Sequence, residues 1–339
     1  MNRLMNRHTH FLLAVLTGMA LWMETLSTAA QPAQTPENRL IALRHQMESA
    51  TTAKEQQQLL SQMAETGTFV AMTTMASCLD HRELQKTAAR GVAAIALAHP
   101  EFDGHLTRHL LARCLPLVGG AQRKAILAVL AKEPVEGYVS HFNGRDLTGW
   151  KGLVENPIVR REKMTQQQLE EAQVAADQRM RADWKVEDGL LAYVGTGYDN
   201  ICTVEQYGDF EMLVDWRLDP NGKEPDAGIY LRGTPQVQIW DIARVNVGAQ
   251  VGSGGLYNNQ KNKSIPLCVA DNPLGEWNSF YIKMTGERVT VRLNGVLVVD
   301  NIPLENYWDR SRPIFPVEQI ELQAHGSKVY YRDIYIKRL

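Results

Sequence analysis

Three polar side chains, Glu321, Gln323 and His325, recur at every second position of the run Ile320 to His325, opposite Ile320, Leu322 and Ala324. In an extended strand such residues share one face. The segment therefore predicts a strand with a polar face, used either for binding or as a plain solvent face. His325 is the sharpest candidate for proton transfer, because an imidazole titrates near neutrality and can take or give a proton there. Its structural alternative is an ordinary strand histidine. Asp241 ends the run Val237 to Asp241 before a loop, where a carboxylate can act as a base or a metal ligand. Gln238 and Trp240 share a face of that run, Trp240 as a stacking platform for a ring or as core. Tyr230 and Arg232 share a face opposite Ile229 and Leu231, and Arg232 offers a cation for an oxyanion or hydroxyls, or else a surface ion pair. Tyr257 follows the glycine-rich Gly252 to Gly255 and is placed to donate a proton. Glu211 either points at a ligand or forms a solvated row with Asp215 and Arg217. Trp277 reads as core.

These residues need strands to hold them. From His141 onward, period-two alternation bounded by Gly, Asn and Asp dominates. Phe210 to Leu218 alternates apolar and polar, and Asn294-Gly295 between two such runs is a type I′ hairpin signal. Many short antiparallel strands predict a β-sandwich or jelly roll over residues 138–339. One helical insertion interrupts it at about 156–183, where Thr165 and Gln168 have the form of a capping box and Leu169, Ala172, Ala176 and Met180 make one stripe. The glycine-rich Gly252 to Gly255 lacks the GxGxxG pattern and the βαβ context of a nucleotide site.

Residues 36–133 read as an α-helical, HEAT-like array: Thr35-Pro36 is a good helix start, and apolar stripes recur between breaks at Gly67, Asp80-His81, Pro100 to Gly104 and Gly119-Gly120. Its stripes are core by default, and the array offers a docking surface for a protein partner. Residues 1–30 carry Arg3 and Arg7, an apolar run from Phe11 to Trp22 and the small residues Ser27 to Ala30. This is a signal-peptide pattern, with an apolar run of about 12 residues against the ~20 of a spanning helix. It predicts export to the periplasm or the medium, with no membrane span after cleavage. Cys78, Cys114, Cys202 and Cys268 are spaced too widely for a CxxC metal site and read as bridges or as buried free thiols. The formal charge of -2, from 36 basic and 38 acidic residues, gives no field for nucleic acid and suits a neutral partner such as a sugar.

Several runs occur together in order: FNGRDLTGW from Phe142, WKVEDGL from Trp184, YGDFE from Tyr207, AGIYLRG from Ala227, VQIWD from Val237, GSGGLYNNQ from Gly252, GEWN from Gly275, LNGV from Leu293 and IELQAHG from Ile320. In order and spacing they resemble the 3-keto-disaccharide hydrolase domain, also described as 3-keto-glucoside 1,2-lyase and 3-keto-2-hydroxy-glucal hydratase. The resemblance covers about residues 138 to 339. It implies a concanavalin-like jelly roll whose concave sheet holds an oxidised sugar, and it is silent on the helical array.

The implied chemistry differs from that of an ordinary glycosidase with its two carboxylates. A ketone at C3 acidifies the proton on C2, so a base can remove it and an electrophile can hold the enolate. An acid then protonates the oxygen leaving C1, and water adds back to the enone. On this reading His325, Asp241 and Arg232 carry the acid–base work and enolate stabilisation, while Gln238, Trp240, Tyr257, Glu321, Gln323 and Glu211 bind the sugar. No redox cofactor is implied, and a divalent metal is left open. The rival reading is a non-catalytic, lectin-like carbohydrate-binding module with a helical assembly domain.

Overall fold

The computed structural model describes residues 34–339; the signal-peptide pattern of residues 1–30 lies outside the described residues. Among the described residues six α-helices come first: α1 (Pro36–Ser49), α2 (Ala53–Glu65), α3 (Phe69–Ala76), α4 (Gln85–Ala98), α5 (His105–Cys114) and α6 (Gly120–Leu130). Thr35, Thr52 and Thr68 cap the first three, each hydroxyl accepting a backbone N–H three residues on. Their apolar stripes meet in a core containing Leu60, Met63, Met72, Met75, Ala88, Val92 and Ile95. That core does not end with the helices. It includes Tyr138 and Tyr335 of the β region, with Leu213 packed against it. Phe69 of α3 sits against Tyr138 and Tyr335, with ring centroids 4.7 and 5.1 Å away.

Thirteen strands follow: β1 (Val139–Ser140), β2 (Trp150–Gly152), β3 (Trp184–Glu187), β4 (Leu190–Tyr193), β5 (Ile201–Thr203), β6 (Phe210–Leu218), β7 (Asp226–Leu231), β8 (Thr234–Trp240), β9 (Asn278–Thr285), β10 (Arg288–Leu293), β11 (Val296–Pro303), β12 (Glu321–Leu322) and β13 (Val329–Arg338). They form two antiparallel sheets. The large one runs β11-β10-β9-β6-β13-β4-β3, with β1 paired to β13; the small one runs β2-β5-β12-β7-β8. The sandwich core between them holds Phe210, Met212, Val214 and Trp216 of the large sheet and Ala227, Ile229, Val237, Ile239 and Leu322 of the small one. At the β10–β11 hairpin, Asn294 and Gly295 take φ of +52° and +80°, as a type I′ turn requires.

The other face of β6 is not a solvated row. Asp215 is buried beneath Arg44 of α1, which lies 3.5 Å from it, and Arg332 of β13 lies 3.2 Å away. Glu211 accepts from the Tyr138 hydroxyl at 3.0 Å, and Arg217 stacks on Trp277 and Tyr330. The helices cover this face, so its alternation marks an interface. Trp277 is buried, but between Arg217 and Arg332 on this face and not between the sheets.

The helical insertion is α7 (Gln166–Asp183), opened by the reciprocal Thr165–Gln168 capping box. It lies on β2, the edge strand of the small sheet. Gln173 donates to the Gly152 carbonyl and Asp177 accepts the Gly152 N–H, both at 2.9 Å. A Cβ at Gly152 would lie 2.1 Å from the Ala176 carbonyl oxygen, so only glycine admits the helix this close. α7 thereby covers an edge that would otherwise offer unpaired backbone groups. All four cysteines are free thiols, Cys114 and Cys202 buried, Cys78 half-buried and Cys268 exposed. No described helix is long and apolar enough to cross a membrane.

Candidate active site on the outer face of the small sheet

The predicted strand Ile320 to His325 shrinks to the two residues of β12. Side chains take over its ladder partners. The Thr203 hydroxyl accepts the Ile320 N–H at 3.1 Å, and the Asn200 side-chain carbonyl accepts the Ala324 N–H at 3.0 Å. The alternation survives this interruption. Ile320, Leu322 and Ala324 enter the core, while Gln319, Glu321 and Gln323 face outward. On β7 the outward set is Asp226, Gly228 and Tyr230; on β8 it is Gln236, Gln238 and Trp240.

This outward face is polar yet buried: Gln319, Gln238 and Glu321 are at most 1% exposed. Buried polar groups must find partners, and two chains of bonds supply most of them. In the first, Arg161 donates to Gln319 at 3.1 Å, Gln319 donates to one oxygen of Glu321 at 3.3 Å, and Asn200 donates to the other at 3.0 Å. Burial pushes the Glu321 carboxyl up to about 7, against the opposing pull of the Asn200 bond and the Arg161 charge. In the second, Gln236 donates to Gln238, and Gln238 donates to Asp226 at 2.7 Å. Arg244 lies 3.4 Å and His325 Nδ1 3.9 Å from the other Asp226 oxygen. Burial raises the Asp226 carboxyl, while His325, Gln238 and Arg244 draw it back down.

Between the chains stands Gln323, whose amide N–H reaches the Tyr230 hydroxyl at 3.4 Å. Its Oε1 is buried without a hydrogen-bond partner, as is Nδ1 of His325. A Cβ at Gly228 would lie 2.9 Å from Gln323 Oε1 and from Gln236 Cδ, so the missing side chain lets the two amides converge. Three exposed tyrosines rim the face, each edge-on to an inner ring. Tyr198 meets His325 at 5.3 Å, Tyr257 meets Trp240 at 5.2 Å, and Tyr307 meets Trp308 at 4.9 Å. The rim loops are pinned together by Glu305, which accepts the N–H groups of Gln260, Lys261 and Asn262 and pairs with Arg310 at 3.0 Å.

The structure thus brings Glu321, Gln323, His325, Gln238, Trp240 and Tyr257 to one face. Asp241 lies just beyond β8, where its carboxylate accepts the Ala243 N–H of a local turn at 3.0 Å. Among the described residues no hydrogen bond or ion pair joins it to His325. Arg232 is only 3% exposed and sits at a left-handed φ of +50° outside β7. Its guanidinium donates to the carbonyls of Pro316, at 2.9 Å, and of Gly286. It clamps loops and does not join the polar face, because the β7–β8 turn breaks the alternation that would have aligned it with Tyr230. Glu211 faces the helices, on the other sheet.

Sequence reasoning missed Asp226, Asn200 and Gln319. Extending the alternation two residues back from Gly228 finds Asp226, and the same step back from Cys202 finds Asn200. Among the described residues no group of three or more His, Cys, Asp or Glu side chains is placed to hold a metal.

Similar solved structures include two glycosyl-hydrolase candidates from Parabacteroides distasonis. The first is 24% identical, covering 60% of this chain and 94% of that one with a TM-score of 0.40. The second is 23% identical, covering 47% and 91% with a TM-score of 0.38. The carbohydrate-binding module CBM66 from Bacillus subtilis is 11% identical, covering 45% and 90% with a TM-score of 0.32. No curated protein matches the chain. The family model described as 3-keto-alpha-glucoside-1,2-lyase-like domain matches residues 137–337, the whole of both sheets but for the last residue of β13. Through that match, which spans more than half of its length, the chain belongs to the 3-keto-alpha-glucoside-1,2-lyase-like family, a carbohydrate-acting one.

Proposed function

We propose that the outer face of the small sheet cleaves the glycosidic bond of 3-keto-glycosides by elimination followed by hydration. The observation that carries the reading is the His325–Asp226 pair beside the unpartnered acceptor of Gln323, on a face where Gln319, Glu321, Gln236, Gln238 and Asp226 are hydrogen-bonded to one another or to their neighbours. His325 takes the proton from C2, and Asp226 steadies the imidazolium that results. The electron pair left on C2 becomes the enolate of the C3 ketone, held by the amide of Gln323, the one glutamine of the row that is not fully buried. The C1–O bond then breaks, the departing oxygen takes a proton from the imidazolium or from Tyr257, and a 2-hydroxy enone remains. Water adds its oxygen to C1 and a proton to C2, restoring the 3-keto sugar. Gln323 accepts from a sugar hydroxyl, Glu321 fixes the amides of Asn200 and Gln319 beside it, and Trp240 with Tyr257 stacks on a ring.

In this proposal Asp226 fills the place beside His325 that the sequence suggested for Asp241. Arg232 and Glu211 serve the scaffold. We further read the sandwich as a concanavalin-like jelly roll and the helices as a HEAT-like array, supported by the two facing antiparallel sheets and the short links between helices. Export to the periplasm or medium is supported by the leader pattern.

Purified protein is expected to release the aglycone from a 3-keto-glucoside and to leave the unoxidised glucoside intact. No release at any pH, with or without added divalent metal ions, overturns the reading. A lectin-like module is the second reading, favoured by the exposed rim tyrosines Tyr198 and Tyr257. It predicts sugar binding without turnover.

A further inference from the structure

A cavity lies on the opposite side of the sandwich, between α1 and the outer face of the large sheet. It measures about 570 Å³, within the range of small-molecule sites, and its walls include Arg44, Arg217, Trp277 and Arg332. The sandwich core separates it from the face carrying Glu321.

The charges in its floor do not cancel. Asp333 pairs with Arg44 at 2.5 Å, and Asp215 lies 3.2 Å from Arg332 Nε and 3.5 Å from Arg44. Those two carboxylates offset two of the three guanidinium groups. Arg217 forms no hydrogen bond or ion pair among the described residues; it rests on Trp277 and Tyr330, 4.8 Å from each ring centre. Arg332 lies over Trp277 at 3.9 Å, and its Nη2 is buried without a partner. A guanidinium stacked by its face keeps its in-plane N–H groups free, and their fork matches a carboxylate. At the mouth stand two acceptors, Glu48, 3.5 Å from His45, and Asp188, on a left-handed turn at φ +50°. Carboxylates there repel a bare anion and accept from hydroxyl groups.

We propose that this cavity is a binding site for a sugar acid: its carboxylate meets Arg217 and Arg332 on the floor, and its hydroxyls donate to Glu48 and Asp188. The site is independent of the glycoside chemistry proposed above, so either can fail alone.

The test is calorimetric titration and thermal denaturation of the full chain with sodium glucuronate, glucose and inorganic phosphate. Glucuronate is expected to bind and raise Tm, with glucose and phosphate at least tenfold weaker. Arg217→Ala is expected to weaken glucuronate at least tenfold while the circular dichroism stays native; Arg217→Gln, which keeps a planar amide on Trp277, is the second variant should the first misfold. Absence of glucuronate binding, equal binding of glucose or of phosphate, or undiminished affinity in the folded Arg217 variants would each overturn the proposal.

Discussion

His325 Nδ1 lies 3.9 Å from Oδ2 of Asp226, whose other oxygen accepts from Gln238 at 2.7 Å. The pair joins the irregular segment after β12 to the first residue of β7. If this imidazole moves the proton, His325→Ala should lower aglycone release from a 3-keto-glucoside by about 100- to 10,000-fold, the usual worth of a positioned acid–base group. Asp226→Asn should lower it as well, with sugar binding kept in both. Steady-state kinetics beside a binding titration checks this, and unaltered turnover in both variants would favour the lectin reading.

Glu321 makes the fold sensitive to pH. Its carboxyl rises from an ordinary 4.5 to about 7 on burial. Between those values the folded chain keeps a proton that the unfolded chain has released. Stability therefore falls as pH rises through that window, by roughly 3 kcal/mol, and levels off above it. Glu321→Gln mimics the protonated form and should flatten that slope in denaturant unfolding measured from pH 4.5 to 8.

Removing Arg44 should cost more than an exposed ion pair does. Asp215 and Asp333 would lose a shared partner, and Asp215 is 3% exposed. Arg44→Ala is expected to destabilise by about 3–5 kcal/mol, the range for breaking a buried pair. Chemical denaturation measures the loss. A change below ~1 kcal/mol would mean that water reaches this interface.

Gly152→Ala puts a methyl group against the backbone of α7 at Ala176. A backbone carbonyl cannot swing aside as a side chain can, so the helix must lift from β2. The expected cost is about 1–3 kcal/mol, with faster hydrogen exchange along Gln166–Asp183 as the signature of local detachment.

Glu305→Gln removes the negative charge that holds three consecutive N–H groups and Arg310. Those bonds hold its carboxyl down at about 2, although its burial works the other way. Amide exchange at Gln260, Lys261 and Asn262 should accelerate, with Tyr257 losing its fixed place beside Trp240. In the unsubstituted chain the same loosening should set in only as pH drops below 4.5, the ordinary value of the carboxyl, toward 2, because the contribution is present above that window.

Much of this protein follows from periodicity. The helices between Pro36 and Leu130, the capping box at Thr165, the nine-residue β6 and the Asn294-Gly295 turn depend on local rules: spacing of apolar residues, caps and permitted φ. The outward placement of Glu321 and Gln323 follows from the same alternation. Local rules fail where a distant chain segment decides. Nothing near Asp215 and Arg217 in sequence says that helices cover them, so one amphipathic pattern served equally for a solvated row. Arg232 shares a period with Tyr230, but the turn at Gly233 bends it to the carbonyls of Pro316 and Gly286. Asp226 and His325 meet only because β12 pairs with β7, placing Glu321 beside Tyr230. The sequence by itself determined which residues are polar, which way each strand turns them and which family the sandwich joins. Only the tertiary structure decided which polar residues meet, because burial and cross-strand register arise when distant segments pack.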